Sequence, residues 1–505
     1  MKKSNLTYLG IDIGTTSVKA LLTLETGELL AESEVELYIS RPHAVWSEQE
    51  PEMWWKATIK AIKEIIFIVK QRSQKIRIES IGISGQMHSS VFLDKKGNVV
   101  RPALLWSDGR TTSQCEQITE KLGFDELRES VGNLALEGFT LPKLLWLQQN
   151  EPSHFDQVAT LVLPKDYIRF RMTGELITDH SDASATLLYD VTKKCWSKKI
   201  MDVFNVPDIL PSIAHSTDIV GSLTKTSAEL CGLEAGIPIV CGSADNVAGS
   251  LATGVISHGL LQSSIGTSGT LLTPIEKVRI DSQMRLHVFV HAVPDLWYLM
   301  GVTLSAGDSL KWLRNIISGK QSSITYDSMM KDAKEVNPGS EGLVFLPYLV
   351  GERTPHNDST ARGSFIGLHA GHTSGHLIRA VMEGVCFSLK DSLSLFEELE
   401  VSSREVRTVG GGSKSKLWRQ MQADVYNLPV MTIKPSPGPA YGAAMMATIG
   451  AKRFSSLDEV VSLWTTIEDI QEPNSERVDF YQQQYSIYKG IYPSLKDHFK
   501  ELNSN

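Results

Sequence analysis

Residues 7–33, TYLGIDIGTTSVKALLTLETGELLAES, contain the pattern that decides the fold of the chain. An apolar run passes through Asp12 to a turn of glycine and hydroxyl residues, and two further apolar runs follow, separated by the turn ETGE. Apolar and β-branched runs between such turns are typical of antiparallel strands. The segment therefore predicts three strands joined by two tight turns, of which the first is polar.

A helix and a further strand are predicted next. Pro51 opens PEMWWKATIKAIKEIIFIVKQ, and proline is well tolerated as the first residue of a helix. The face that should cover the sheet consists of apolar residues at helical spacing: Trp55, Ile59, Ile62, Ile66 and Val69. RIESIGISGQMHSS then indicates a buried strand that ends in a bend, and VFLDKKGNVV indicates a hairpin. Because strands alternate with helices, we expect an α/β fold.

The opening pattern returns near residue 260. GLLQSSIGTSGTLLTPIE again gives a strand, a turn and a strand, and IGTSGT at 265–270 resembles IGTTSV at 13–18. This similarity indicates an internal duplication. A chain of 505 residues also exceeds the length at which a single core stops growing. We therefore predict two similar lobes, residues 1–248 and 249–505.

Composition favours a small-molecule partner. The net charge of −8 argues against a general nucleic-acid or anionic-membrane surface. The five cysteines are scattered and form no CxxC pair, which disfavours a disulfide framework or a zinc site and favours the cytoplasm. The apolar run IIFIV is far shorter than the ~20 residues of a membrane-spanning helix. Lys2 and Lys3 are followed too closely by Asp12 and Gly14 for an export signal, so we expect a soluble chain.

The first turn could bind phosphate. Glycine permits the positive φ angles of a tight anion nest, in which backbone N–H groups and the hydroxyls of Thr15 and Thr16 would face the anion, with Asp12 at the rim. A plain hairpin turn is the alternative. The second turn, Gly266 to Ser268, favours phosphate binding, since two facing turns could hold a polyphosphate. The segment contains neither the P-loop pattern GxxxxGK[ST] nor the dinucleotide pattern GxGxxG.

Two further segments could bind a polyol. ISGQMHSS offers Gln86 and His88, and LLWSDGRT offers Trp106, Asp108 and Arg110. Sugar hydroxyls need directional hydrogen bonds and the sugar C–H face needs a flat apolar surface, which these side chains supply. Each also has an ordinary alternative: Trp106 in the core, Asp108 paired with Arg110 at the surface, and His88 as a core histidine.

A glycine-rich turn and one isolated carboxylate complete the candidates. GGGSKSKLW, from Gly410, would let a flat ring approach the backbone, and the bend Pro437–Gly442 could form the second wall of an adenine slot. Tight turns are the alternative for both. In IVCGSADNVAG, Asp245 lies among small and apolar residues with no basic neighbour in sequence. A turn or a helix N-cap would also account for it.

Together these motifs resemble the FGGY family of carbohydrate kinases over essentially the whole chain. GFTLPKLLWLQQN at 138–150 is similar to the family's first signature. GSFIGLHAGHTSGHLIRAVME at 363–383 is similar to its second, with His376, Ala380 and Glu383 at the expected spacings. The resemblance implies two ribonuclease H-like lobes, of the type found in actin, hexokinase and Hsp70, around a deep cleft. It also makes a homodimer an expectation.

Six segments resemble the branch of the family that phosphorylates D-xylulose at its 5-hydroxyl with MgATP: SGQMH, RPALLW, EGFTLPKLLW, LPKDYIRFRMTG, MGVTLSAGDSLKW and YLVGERTPH. Gluconate, ribulose and glycerol remain alternative substrates. That branch commonly has Gly and Asn where this chain has Ser89 and Ser107. An actin-like or chaperone-like ATPase would lack the polyol-binding residues, and a sugar sensor without catalysis is disfavoured by the presence of Asp12 and Asp245.

The resemblance assigns roles residue by residue. Asp245 matches the catalytic base, and Asp12 matches the acidic residue near Mg²⁺ and the phosphates. Met87, His88 and Asp108 match its sugar contacts, and together with Gln86, Trp106 and Asn246 they form the predicted sugar site. The ATP contacts are Thr15, Thr16 and Lys19 in the first lobe, with Gly266, Thr267, Ser268, Gly410, Gly411, Gly412 and Ser413 in the second.

Overall fold

Two seven-stranded sheets, each built from one half of the chain, form the frame of the protein. The computed structural model describes residues 5–72, 76–319, 324–435 and 438–503. Lys2 and Lys3, cited above against an export signal, lie outside the described residues, as does Pro437. None of the helices within the described ranges is both long and apolar enough to cross a bilayer. All five cysteines are free thiols.

Within residues 5–72 and 76–253, the first half of the chain supplies fifteen strands and nine α-helices. Its strands are β1 (Asn5–Ile13), β2 (Ser17–Leu24), β3 (Leu29–Glu36), β4 (Glu48–Gln49), β5 (Ile76–Gly85), β6 (Val91–Leu93), β7 (Ala103–Leu104), β8 (Thr160–Val162), β9 (Ile177–Asp179), β10 (Tyr189–Asp190), β11 (Cys195–Trp196), β12 (Ser212–Ala214), β13 (Ile219–Ser222), β14 (Pro238–Val240) and β15 (Ser243–Ala244). Its helices are α1 (Pro51–Gln71), α2 (Thr112–Glu126), α3 (Thr140–Asn150), α4 (Pro152–Phe155), α5 (Pro164–Thr173), α6 (His180–Ser184), α7 (Lys198–Val203), α8 (Lys225–Cys231) and α9 (Asp245–Thr253).

The described part of the second half supplies nine strands and seven α-helices. Its strands are β16 (Leu260–Ile265), β17 (Gly269–Ile275), β18 (His287–Val290), β19 (Trp297–Thr303), β20 (Val344–Leu346), β21 (Ser364–Ile366), β22 (Glu405–Gly410), β23 (Val430–Lys434) and β24 (Thr466–Gln471). Its helices are α10 (Gly307–Ser318), α11 (Tyr326–Lys334), α12 (Ser374–Glu398), α13 (Lys416–Tyr426), α14 (Pro439–Gly450), α15 (Leu457–Trp464) and α16 (Ser475–Asn503).

The two large sheets repeat one topology. In the first, β3, β2 and β1 are antiparallel neighbours, β5 lies parallel to β1, and β14 lies parallel to β5. In the second, β19, β17 and β16 are antiparallel, β22 lies parallel to β16, and β23 lies parallel to β22. The duplication expected from IGTTSV and IGTSGT is therefore present in the strand order, and the fold is α/β with two similar lobes.

Helix α1 begins at Pro51, as the sequence predicts, but its buried face differs from the predicted one. Ile59 and Ile66 stay partly exposed, while Trp54 and Ile65 are fully buried. The helix packs on β2 and β3 with one side and on α5 and α8 with another, so its buried face is wider than one stripe. The predicted hairpin at 91–100 is present as a short turn, in which the Val100 N–H donates to the Phe92 carbonyl oxygen at 2.9 Å and Leu93 forms a bridge with Val99, while β6 also pairs with β8.

Helices α9 and α14 join the two lobes. Although α14 belongs to the second half, it packs on β1, on β5 and on α9. We call Gly10, Gly82 and Gly442 the glycine seam, because a Cβ on any of them would lie 1.9 Å from a backbone carbonyl oxygen across this contact. The predicted division after residue 248 falls inside α9 and stays a prediction.

Candidate active site

The ends of three adjacent strands bring two carboxylates together. Strand β5 lies between β1 and β15 and is parallel to both, so all three end at the same edge of the sheet. The register pairs Asp12 with Ser84 and Ala244 with Gly85, and Asp245 follows as the first residue of α9. This edge therefore carries both acidic residues that the sequence singles out.

Both carboxylates have raised pKa values. Burial raises the pKa of Asp245 to about 7, and the nearby negative charge of Asp12 adds to that rise. Burial also raises the pKa of Asp12 to about 6, although Ser84 Oγ donates a hydrogen bond of 2.8 Å to its Oδ1 and opposes the rise. A carboxylate with a pKa near 7 is matched to proton acceptance at neutral pH.

A buried network that the sequence did not indicate holds the residue before Asp245. The Ala244 N–H donates to Ser181 Oγ at 2.9 Å, and that hydroxyl donates to Asp179 Oδ2 at 2.5 Å. Lys165 Nζ lies 2.9 Å from Asp179 Oδ1, with both side chains fully buried. The only hint of this network in the sequence is that Lys165 lies in LPKDYIRFRMTG, one of the six segments that resemble the related branch.

His88 lies at the bend between β5 and β6 in the left-handed backbone region, with φ 64°. Its Nδ1 is 2.6 Å from the Ala185 carbonyl oxygen, which can only accept, so Nδ1 carries the ring proton. Burial lowers the pKa of the imidazole to about 3, so the ring is neutral. Nε2 keeps its lone pair and has no hydrogen-bond partner in the described part of the chain, which leaves it able to accept from a hydroxyl.

Lys143 fixes the backbone at this bend, and sequence reasoning assigned it no role. Its ammonium is fully buried and donates to the carbonyl oxygens of His88, at 3.1 Å, and of Gly138. Thr140 Oγ1 donates to the same His88 oxygen at 3.0 Å. Burial lowers the pKa of Lys143 to about 7. Thr140 and Lys143 both belong to the signature at 138–150. The sequence shows that signature but not which groups the two side chains contact.

The remaining predicted sugar contacts divide into accessible and buried groups. Asn246 is partly exposed and donates from Nδ2 to Met87 Sδ at 3.2 Å, so these two lie together beside Asp245. Trp106 is 44% exposed. Gln86 is only 1% exposed and contacts protein groups, among them Thr15 at 3.2 Å.

Asp108 occupies a different position from the one predicted. The carboxylate is 1% exposed and accepts from the Ser47 N–H at 2.7 Å and from the Arg110 side chain at 2.7 and 2.8 Å. The Arg110 N–H occupies a further acceptor position at 3.1 Å. With these acceptor positions filled, Asp108 holds the loop after β7 in place, and its contact with a sugar stays a prediction. The pair with Arg110 is buried, not at the surface.

The two serines that depart from the related branch have different surroundings. Ser89 is fully buried, donates to Gln86 Oε1 at 3.2 Å and accepts from the Trp106 N–H at 3.0 Å. Ser107 is exposed, and its side chain makes no hydrogen bond to any other described residue. The Ser89 hydroxyl is therefore occupied by protein partners, whereas the Ser107 hydroxyl faces the solvent.

The first phosphate turn joins β1 to β2. The Thr15 carbonyl oxygen accepts from Gln49 Nε2 at 2.8 Å, and Thr16 is exposed. Lys19, opposite Asp12 on β2, forms an ion pair of 3.0 Å with Glu32. Its predicted contact with ATP would require the ammonium to share or leave this partner.

The second turn lies against the start of α10. The Thr267 carbonyl oxygen accepts from the N–H groups of Ala306, at 2.9 Å, and Asp308, at 3.2 Å. Gly266 accepts in the same way from Gly307 at 2.7 Å. Thr267 is exposed and Ser268 partly exposed, as phosphate binding requires. Residues 306–308 belong to MGVTLSAGDSLKW, a segment whose sequence does not predict a contact with the second turn.

The glycine-rich turn adjoins the second turn, because β22 pairs with β16 and brings Gly410 opposite Ile265. Gly410 has φ 82°, and a Cβ there would lie 2.6 Å from the Ile265 carbonyl oxygen. A Cβ on Gly412 would lie at the same distance from the Ile265 side chain. Ser413 Oγ donates to the Gly410 carbonyl oxygen at 2.8 Å. Only glycine therefore allows the two turns to approach this closely.

Two cavities meet at this turn. One, of about 290 Å³, extends from Asp245 and Asn246 to Gly410, with Gly438 and Pro439 in its wall. The other, of about 430 Å³, lies between the turns Gly266–Thr267 and Gly411–Gly412. The predicted bend at 437–442 thus lines the first cavity from Gly438 onward. Tyr326, Asp327 and Met330 of α11 also line the second, and nothing in the sequence pointed to them.

A metal ion would find few protein ligands here. Across the described ranges, no group of three or more His, Cys, Asp or Glu side chains is arranged to hold one. Mg²⁺ dehydrates reluctantly and is often held by substrate phosphates, water and one or two carboxylates. The site suits such an ion, with Asp12 as the available carboxylate.

Comparison with known proteins places the chain among sugar kinases. Models of the N-terminal and C-terminal domains of the FGGY family of carbohydrate kinases match residues 7–252 and 261–451. A xylulose kinase of Bacillus subtilis is 41% identical, covering 97% of each chain. A gluconokinase of the same organism is 29% identical, covering 98% of each. The crystal structure of xylulose kinase from Rhodospirillum rubrum is 28% identical, with a TM-score of 0.91, and covers 98% of this chain and 100% of that one.

Proposed function

The chain belongs to the FGGY family of carbohydrate kinases, and from that premise we propose that it phosphorylates D-xylulose. The γ-phosphate of ATP is transferred to the 5-hydroxyl, giving D-xylulose 5-phosphate in pentose catabolism. The observation that carries the proposal is the position of Asp245, between the sugar bend at His88 and a cavity that leads to the glycine-rich turn. The relation to a xylulose kinase over 97% of the chain supports the choice of sugar.

The nucleotide occupies the two cavities. Its adenosine lies in the larger one, against Gly411 and Gly412, where the absence of side chains lets a flat ring approach the backbone. Its phosphates extend toward Asp245, between the turns that contain Thr15 and Thr267. The backbone N–H groups and hydroxyls of such turns are suited to phosphate oxygens. Asp12 would help to hold a Mg²⁺ ion beside the phosphates, and such an ion would supply neutralisation of the charge on the transferring group.

The sugar lies at the bend between β5 and β6. His88 Nε2 accepts from one hydroxyl, Asn246 supplies an amide, and the half-exposed Trp106 ring offers an apolar face to the C–H groups. Asp245 lies next to Asn246 in sequence and accepts the proton of the reacting hydroxyl. Cytoplasmic location belongs to the same proposal, supported by the five free thiols.

Asp245 acts chiefly through its position. As the new P–O bond forms, the bond to ADP breaks, and the hydroxyl proton passes to the Asp245 carboxylate. Phosphoryl transfer has a loose transition state, so in-line placement and charge neutralisation matter more than a strongly basic group. A carboxylate whose pKa is near 7 can nevertheless take up the proton at neutral pH.

A coupled ADP-release assay tests the substrate. We expect kcat/KM for D-xylulose to exceed that for D-ribulose, gluconate and glycerol by at least about tenfold, a difference of about 1.4 kcal/mol in transition-state binding. Chromatography of the product should give D-xylulose 5-phosphate. A higher kcat/KM for one of the other three sugars would replace xylulose in the proposal but leave the kinase assignment in place.

Asp245→Asn tests the base. General-base catalysis contributes about 10²- to 10⁴-fold, so we expect kcat to fall at least about 100-fold while the circular-dichroism spectrum stays unchanged. Asp208→Asn, which alters an exposed carboxylate on the first lobe, is the matched control and should keep wild-type turnover. Near-normal turnover of Asp245→Asn would refute the assignment.

A further inference from the structure

One hydrogen bond joins the proposed sugar site to the first phosphate turn. The Trp106 indole N–H donates to Thr15 Oγ1 at 2.9 Å, across 91 positions of sequence. Trp106 follows β7 in the sugar region, whereas Thr15 lies between β1 and β2 in the phosphate turn. Neither the family models nor the catalytic roles proposed above require this contact.

The contact fixes the Thr15 hydroxyl from both sides. While its oxygen accepts from Trp106, its proton is donated to Gln86 Oε1 at 3.2 Å. Gln86 also donates to the Gly14 carbonyl oxygen at 3.4 Å, and Gln49 donates to the Thr15 carbonyl oxygen at 2.8 Å. Two buried glutamines therefore hold the turn from the protein interior. Of the three side chains that contact Thr15 here, only the Trp106 indole reaches the solvent.

Ser89 ties the same group to the sugar bend. It lies next to His88 in sequence, and its hydroxyl bridges Gln86 Oε1 and the Trp106 backbone N–H. Movement of the bend or of the Trp106 backbone would therefore disturb the acceptor that Thr15 uses. The departure from glycine at this position adds a link between the two regions.

The indole end of this chain of contacts is the weak one. Trp106 is 44% exposed, so water competes for its N–H and the ring has room to move. A sugar packed against the ring would exclude water and restrict the ring. A sugar that immobilises Trp106 would also order the Thr15 turn through the hydrogen bond. The nucleotide would then lose less conformational entropy when it binds that turn.

We propose that the Trp106–Thr15 hydrogen bond couples the two substrates, so that a polyol bound at Trp106 strengthens the binding of the ATP phosphates at the Thr15 turn. This inference rests on the proposed function, which places the sugar against Trp106. One hydrogen bond of ordinary strength corresponds to a coupling of about three- to tenfold. By linkage the nucleotide must strengthen sugar binding by the same factor.

Calorimetry measures the coupling directly. The Kd of Mg²⁺-bound β,γ-imido-ATP is determined without and with saturating D-xylulose, and the ratio of the two values is the coupling factor. We expect a ratio of about three to ten for the wild type and a ratio near one for Trp106→Phe, which keeps an aromatic face but has no N–H. Thr15→Val, which removes the hydroxyl and keeps the shape, should lower the ratio to the same value.

The double variant and a neighbouring control complete the test. Trp106→Phe combined with Thr15→Val should lower the ratio no further than either change alone, because both remove one contact. Ser107→Ala, next to Trp106 in sequence but exposed, should retain the wild-type ratio. A ratio near one in the wild type, or an unchanged ratio in both single variants, would overturn the inference while xylulose phosphorylation still stands. If the wild type neither binds nor phosphorylates D-xylulose, the proposed function fails and the coupling fails with it.

Discussion

Asp245 lies in the first turn of α9, where the unpaired backbone N–H groups of a helix favour negative charge. Burial and the charge of Asp12 act in the opposite direction and raise its pKa to about 7. The Asn246 N–H, 2.7 Å from Oδ1, only partly offsets that rise. The carboxylate therefore changes its charge within the physiological pH range, unlike an exposed aspartate.

This shift predicts an acid limb in the rate profile. A base must be deprotonated to accept a proton, so raising the pKa of Asp245 to about 7 makes activity fall as pH drops below 7. We expect kcat/KM for D-xylulose, measured below nucleotide saturation, to decrease about tenfold for each pH unit on that limb. Protonation of Asp12, with its pKa near 6, should steepen the limb further.

The measurement is a series of initial rates between pH 5 and pH 9, with enzyme stability checked by returning each sample to pH 8. A profile that stays flat down to pH 5 would indicate that the essential carboxylate has an ordinary pKa. The protonation of ATP itself is separated by repeating the series at two nucleotide concentrations.

Residues whose role depends on neighbours along the chain could be located from the sequence. Asp12 and Asp245 were identified because short motifs surround them, and the structure brings both to one sheet edge. The protein contacts of Asp108 and Lys143 could not be predicted, because their partners include residues of other segments. A carboxylate filled by Arg110 and Ser47, and a lysine that supports His88, become visible only when the chain is folded.

Among the helices, strands and turns, the strands and their turns were the most predictable. Tight turns depend on local glycine and hydroxyl residues, so the Gly14–Thr16 and Gly266–Ser268 turns could be placed from sequence alone. The buried face of α1 could not, since it depends on two sets of partners. The packing of α14 on the first sheet was equally hidden, because contacts between distant halves leave no periodic signal.

The glycine seam predicts an unusual sensitivity to small side chains. Gly82→Ala would place a methyl group 1.9 Å from the Ala443 carbonyl oxygen, where only backbone movement can relieve the clash. Overpacking costs about 1 to 3 kcal/mol, and we expect Gly82→Ala to reach or exceed the upper part of that range. Chemical denaturation followed by tryptophan fluorescence measures the loss.

Gly490→Ala is the matched control. Gly490 lies within α16, and a Cβ there would have no described atom within 4 Å. Alanine has the better helix propensity, by about 1 kcal/mol, so this variant should be as stable as the wild type or more stable. Equal destabilisation by both substitutions would mean that the seam is not the cause.

The proposed reaction takes place between the two lobes. The cavity that starts at Asp245 is lined by residues of both halves, including Asn246 and Gly410. Water is the rival nucleophile to the sugar, and closing the lobes over both substrates would exclude it. This arrangement suits an enzyme that must not hydrolyse ATP while it waits for the sugar.

Closure should be visible in solution. We expect small-angle scattering to give a smaller radius of gyration when D-xylulose and β,γ-imido-ATP are both present than for the free protein. Glucitol at the same concentration controls for the effect of a polyol on solvent contrast. An identical scattering curve with and without the substrates would show that the lobes keep their relative position.

The contact of α14 with β1 and β5 also makes the two halves of the chain depend on each other for folding. A fragment that ends with α9 would lack the alanine-rich helix that covers its first sheet, and would leave that face bare. We therefore expect neither half to fold as an independent domain, although the two sheets share one topology that indicates duplication. We therefore expect a chimera of this chain and a relative to fold only if both sides of the glycine seam keep their glycines.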